Sequence, residues 1–201
     1  MNNPYSLPTS LTIHGKEYEL RTDFRAILDI LRLSDDTALE EDGESMSPWE
    51  KDYFRINVSI RIAFPEWKEI PVEDYEEALT KLYEFIDCGM KEGDKKKPEL
   101  MNWEKDAPIL IPAINSVAGR EIRTLPYLHW WTFLGYYLEI GESVFSQVVS
   151  IRKKKAEHKK LDEWEKKFYA ENKSIIDLSR KQNRRSEQER DELKKLFGIT
   201  K

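Results

Sequence analysis

The chain has 201 residues, a single cysteine and a net charge of −5, with 35% of its residues charged. That length can bury one real core, as one domain with or without an appended arm, and the lone Cys88 excludes an internal disulfide framework and most thiolate metal sites. Met1–Tyr5 carries neither a basic leader nor an apolar run, and no stretch approaches the roughly 18 apolar residues of a membrane span, so a cytoplasmic protein is expected.

Leu11-Thr12-Ile13 and Tyr18-Glu19-Leu20, joined across His14-Gly15, predict a short hairpin. Two short strands are marginal alone, so this one must pack on helices. Thr22-Asp23 offers a helix cap, and Phe24, Ile27, Leu28 and Leu31 form an apolar stripe that runs up to an acidic loop over Asp35–Ser45. The next helix starts with Ser47 as cap, Pro48 at the first helical position and Glu50 completing a capping box. Its stripe is Trp49, Tyr53, Ile56, Ile60 and Phe64, and Pro65 stops it. Pro71 opens another helix, whose acidic Glu73 and Asp74 suit the positive end of the helix dipole. There Tyr75, Leu79, Leu82 and Ile86 face inward, with Gly89 as the C-terminal cap. A basic loop over Lys91–Pro98 separates two helical halves.

Trp103, Ala107, Leu110, Ile114 and Val117 recur at helical spacing, although Pro108 and Pro112 lie among them. An interior proline costs about 3 kcal/mol or more. Either the helix begins at Pro108 and bends at Pro112, or two short pieces form, with Gly119 as the end. A further helix is expected after Pro126, with Tyr127, Trp130, Trp131, Leu134 and Leu138 on one stripe and Leu128, Phe133, Tyr136 and Tyr137 on its flanks. Tyr127, Trp130, Trp131, Phe133 and Leu134 form the candidate hub, read as core in preference to partner site, because aromatic stripes at helical spacing are usually buried. Ser143–Arg152 resumes the pattern with Val144, Phe145, Val148, Val149 and Ile151. Beyond it run a thin stripe of Leu161, Trp164 and Phe168, and a last helix with Leu193, Leu196 and Phe197, capped by Ser186 with Glu189 three residues on. A stripe that thin holds a helix only when something covers it.

Charge divides the chain. Residues 1–150 carry 16 Lys and Arg against 28 Asp and Glu, whereas residues 151–201 carry 17 against 10, a reversal from net −12 to net +7. We therefore expect a mainly α protein: a helical, bundle-like body with an N-terminal hairpin over residues 1–150, and an extended basic helical arm over 151–201. The arm could dock on the body, drive self-association or capture an acidic partner.

No catalytic residue, cofactor site or metal site is expected. The eight glycines are scattered, without a nucleotide or dinucleotide fingerprint, and His14, His129 and His158 lack any spacing that would place two imidazoles on one helix face. His129 is read as a packed or capping side chain. Cys88 precedes Gly89 at a helix C-terminus, the wrong end for lowering a thiol pKa. The arm's basic runs, Arg152-Lys153-Lys154-Lys155 and Arg184-Arg185 among them, could meet phosphates. Glu157, Asp162, Glu163, Glu165 and Glu171 interrupt that surface, so nucleic acid is not the expected partner.

His14-Gly15-Lys16-Glu17-Tyr18 leading into Thr22-Asp23-Phe24, Cys88-Gly89 after a mid-chain helix, Leu128-His129-Trp130-Trp131-Thr132-Phe133-Leu134, and Phe145 to Ile151-Arg152 with a lysine-rich tail together resemble the bacteriophage Gp-fifteen (Gp15) family over about residues 10–178. The resemblance implies a tail assembly chaperone of long-tailed phages and prophages of Gram-positive bacteria, acting in the host bacterial cytoplasm on the tape-measure protein or other tail proteins. A structural tail or head-tail component of the virion is the alternative, and a nucleic-acid-binding module a further one. A chaperone of a long helical client would use exposed apolar surface on helices. The candidates are Leu161, Trp164 and Phe168, together with Leu193, Leu196 and Phe197. Pro108, Pro112 and the extra basic segment after Leu178 depart from the family pattern.

Overall fold

A computed structural model describes residues 5–33, 48–89, 98 and 100–178. Strands β1 (Ser10–Ile13) and β2 (Lys16–Glu19) pair antiparallel with Leu11 opposite Tyr18. The turn between them needs two left-handed residues, and His14 (φ 44°) and Gly15 (φ 81°) supply them. Strand alternation turns Ile13 and Tyr18 into the core, followed by Leu20. His14 sets its ring nitrogens 2.7 Å from Asp74 and 3.0 Å from Glu77, which fastens the hairpin to the next helical layer.

Eight α-helices follow among the described residues, so the protein is mainly helical. Helix α1 (Phe24–Leu33) buries Phe24, Ile27, Ile30 and Leu33. It packs on α2 (Pro48–Ala63), α2 on α3 (Tyr75–Ile86), and α3 on β1. Helix α4 (Ala107–Ala118) packs on both α5 (Trp130–Leu138) and α6 (Val144–Ala156), while α5 closes the circuit against α1. The last two helices, α7 (Glu163–Glu171) and α8 (Lys173–Ile176), lie back along α6.

Three expectations need correction, and the choice left open at Pro108 and Pro112 is decided for a single helix. In α2, Trp49 and Tyr53 are exposed, and burial is confined to the end, from Val58 to Phe64; periodicity tells which residues share a face, not how far a neighbour reaches along it. Residues 107–118 form one helix, with Pro108 in its first turn and Pro112 inside. Pro112 forgoes one interior bond, to the Pro108 carbonyl, near the N-terminal end of the helix. Trp103 lies ahead of that helix and Val117 is exposed, which narrows the buried set to Leu110, Ile111, Ala113 and Ile114. At the end of α3, Cys88 (φ 52°) takes the first left-handed position, ahead of Gly89 (φ 69°), and the Gly89 N–H donates to the Glu84 carbonyl at 2.8 Å.

Helix α6 runs unbroken from 144 to 156, so the charge reversal near residue 151 falls inside a helix. The described part of the expected arm folds back instead of extending. Leu193, Leu196 and Phe197, with the cap at Ser186, lie outside the described residues.

Candidate functional site

The hub is set by a backbone pairing across the whole body. Phe24 N–H donates to the Leu128 carbonyl at 3.0 Å and Trp130 N–H to the Thr22 carbonyl at 2.7 Å, while the Asp23 carboxylate accepts from Leu128 N–H at 3.0 Å. This holds residues 127–129 extended, so α5 starts at Trp130 and not directly after Pro126. His129 is its cap: Nδ1 accepts from Trp131 N–H at 3.0 Å, and Nε2 lies 2.9 Å from the Pro8 carbonyl, which assigns the proton to Nε2. Tyr127 leaves the expected stripe. It is 52% exposed and meets Thr22 through its hydroxyl at 2.6 Å.

The two tryptophans share one task. Trp130 Nε1–H donates to the Ile86 carbonyl and Trp131 Nε1–H to the Phe85 carbonyl, each at 2.8 Å, so adjacent indoles satisfy adjacent carbonyls at the C-terminus of α3. Around them the rings stack: Phe24 on Phe133 at 4.7 Å, Trp130 on Phe133 at 5.5 Å and Phe85 on Trp131 at 5.8 Å, with Trp103 edge-on to Trp130 at 5.8 Å. Trp130, Phe133 and Leu134 are buried, Trp131 is half-buried, and Leu138 is exposed. Cys88 lies beside this cluster, and burial, followed by the charge of Asp87, pushes its thiol up to about 11. The thiol stays protonated near neutral pH.

The second assembly joins α6 to α8. Arg152 sits at the end of an apolar run yet is buried, with its side chain 6% exposed beside Asp106 at 2%. Its guanidinium grips both carboxylate oxygens, at 2.7 and 2.8 Å, and donates to the carbonyls of Leu100, Ile175 and Ile176 at 3.0, 2.7 and 2.8 Å. A planar fork with several partners is what a buried charge requires. Ile176 then completes a small cluster with Val148 and Ile151, distinct from the main core and flanked by Ile109, Leu161, Phe168 and Tyr169. Polar contacts bound it. Lys154 meets Glu165, and Asp177 receives Lys155 and the Tyr169 hydroxyl. Burial opposes the charge on Lys155 and on Asp177, but their mutual hydrogen bond, with Tyr169, prevails, so the lysine is raised and the aspartate lowered.

The candidate partner residues thus separate. Leu161 and Phe168 are half-buried against α6, whereas Trp164 is 53% exposed and stacks on Phe168 at 5.2 Å. Lys154, Lys155, Lys159 and Lys166 each meet a carboxylate of the same segment. The sequence reading missed Asp106 and Arg152. The available signal was Arg152 at the i+7 position from Phe145, on the face that carries Val148 inward.

Among the described residues, no group of three or more His, Cys, Asp or Glu side chains could hold a metal ion, and no helix is long and apolar enough to cross a membrane. Fold and site define a helical body with a capped aromatic hub and a short helical strap. The family model described as Bacteriophage Gp15 protein matches residues 5–178, and the chain belongs to that family. No curated protein and no solved structure matches it.

Proposed function

We propose that the chain is a non-enzymatic tail assembly chaperone that binds the tape-measure protein, or another tail component, during tail morphogenesis in the host cytoplasm. The observation that carries this reading is the family match, which runs through hub and strap alike and so covers every described helix. The exposed stack of Trp164 on Phe168 supports it by supplying apolar surface on a helix, the kind of surface to which an amphipathic client helix binds. Co-expression with the tape-measure product, followed by pulldown, tests it: the client should be retained and stay soluble only in the presence of this chain. A chaperone should also be absent from purified virions. Finding the chain there in stoichiometric amount would favour a structural tail component instead.

A further inference from the structure

The strap is joined to the body by few contacts. Its one fully buried apolar side chain is Ile176, and α7 and α8 span nine and four residues, too short to persist without tertiary cover. The polar attachments are donors on α6 that meet acceptors on the strap: Arg152 with the Ile175 and Ile176 carbonyls, Lys154 with Glu165, and Lys155 with Asp177. All these acceptors belong to 165–177 and all the donors to 152–155, so the strap is a self-contained ligand for α6.

The connection to this ligand is strained. Helix α6 is closed by His158 at φ 54°, with Lys159 N–H donating to the Lys154 carbonyl at 2.8 Å. This is the left-handed closing position that glycine usually fills, and a side chain there is disfavoured. Residues 156–162, Ala-Glu-His-Lys-Lys-Leu-Asp, contain neither Gly nor Pro, so nothing in their chemistry demands the reversal. Five residues, 157–161, separate α6 from the cap of α7 and can reach about 17 Å when extended.

We propose that the strap exchanges between two copies of the chain, residues 161–177 of one docking on α6 and Ile109 of the other. Each copy then makes in trans every contact that the closed chain makes in cis, and opening the connection releases the left-handed His158. The closed monomer and the exchanged dimer therefore differ only in hinge strain and in the entropy of association, so concentration decides between them. The second copy supplies Ile176, Asp177 and Glu165 to a site that is incomplete without them.

Paired charge reversal tests the exchange on the full chain, with no client present. Lys155→Glu alone sets a new carboxylate against Asp177, and Asp177→Lys alone sets a new ammonium against Lys155, so each variant closes its own strap, or exchanges with itself, less favourably than it exchanges with the other. When the two are mixed, exchange restores the native Lys155–Asp177 pair in one half of a heterodimer and brings the two introduced side chains together, with their signs reversed, in the other. Native mass spectrometry of the mixture should show the one-to-one heterodimer above its statistical share, while circular dichroism reports an intact body in each variant. The unaltered chain should gain mass with concentration in sedimentation, and His158→Gly, which relaxes the closed hinge in both copies, should weaken that dimer roughly tenfold or more. A chain that stays monomeric at every concentration overturns the proposal. So does a mixture without that excess of heterodimer, or a dimer that His158→Gly leaves unchanged.

Discussion

The aromatic hub and the α7–α8 strap belong to one chain, yet they are held by opposite means. In the hub, Phe24, Trp130 and Phe133 are buried and the Trp130 indole N–H is satisfied, so burial contributes about 1.5–3 kcal/mol for each large side chain. In the strap one isoleucine is wholly buried, and Lys155–Asp177 is a partly exposed ion pair of the sort worth about 0–1 kcal/mol. Arg152 is the exception on that side, since its charge is buried and fully engaged. The hub therefore specifies the fold, while the strap is attached to it by a few directional bonds.

Substitutions at the hub should break this contrast most visibly. Trp130→Ala should destabilise the whole protein by about 3–5 kcal/mol, read as a drop in the denaturant midpoint. Trp131→Ala should lose about 1–3 kcal/mol, because the half-buried ring gives up a stack and one hydrogen bond. Unchanged midpoints in both variants, together with loss of a partner, would mean that the hub is an interface and not a core. Next in size, Arg152→Met should cost about 3 kcal/mol by leaving the Asp106 carboxylate buried without its cation, and Asp106→Asn in that background should recover part of the loss. A double variant as unstable as the single one would show that the buried charge is not what the pair controls.

The smallest effect lies in the body's own exposed polar contacts and serves as a reference for the strap. Arg123 donates to both carboxylate oxygens of Glu121, 2.8 Å each, and its backbone N–H adds a third bond, which holds that carboxyl down at about 2. A folded-state value below the ordinary 4.5 means that the stabilisation is complete above pH 4.5 and is lost as pH falls through about 2. Urea midpoints of the unaltered chain and Glu121→Gln should therefore differ slightly at pH 6, and the gap should close toward pH 2. A gap that widens with acid would reverse the sign of this contribution.

Much of this architecture was legible in the sequence, and the failures share one cause. Period located the hairpin, α1, α3 and the start of α6 near Ser143, because each is decided by neighbours within four residues. The start of α5 is decided instead by Thr22, Asp23 and Phe24, more than a hundred residues away, whose backbone pairing draws Tyr127 to His129 into extended form. Trp49 and Tyr53 satisfy the helical spacing of a core stripe and still face water, because burial depends on what lies opposite. The Asp106–Arg152 pair joins residues 46 positions apart, and a charged residue at the edge of a lysine run reads locally as surface. Within the candidate site, the hub could be read from its aromatic spacing. Of the strap, the thin stripe of Leu161 and Phe168 could be read, but its anchors on Arg152, Lys154 and Lys155 could not, since those contacts are polar and long-range.

The separation of strap from hub is tested most directly by native-state hydrogen exchange on the full chain at low denaturant. Amides of residues 166–171 and 175–177 should exchange through a local opening of small free energy that barely changes with urea, while amides of residues 132–138 should exchange only with global unfolding and follow its steep urea dependence. One common free energy and one common urea slope for both sets would refute the separation, because strap and hub would then open as a single unit.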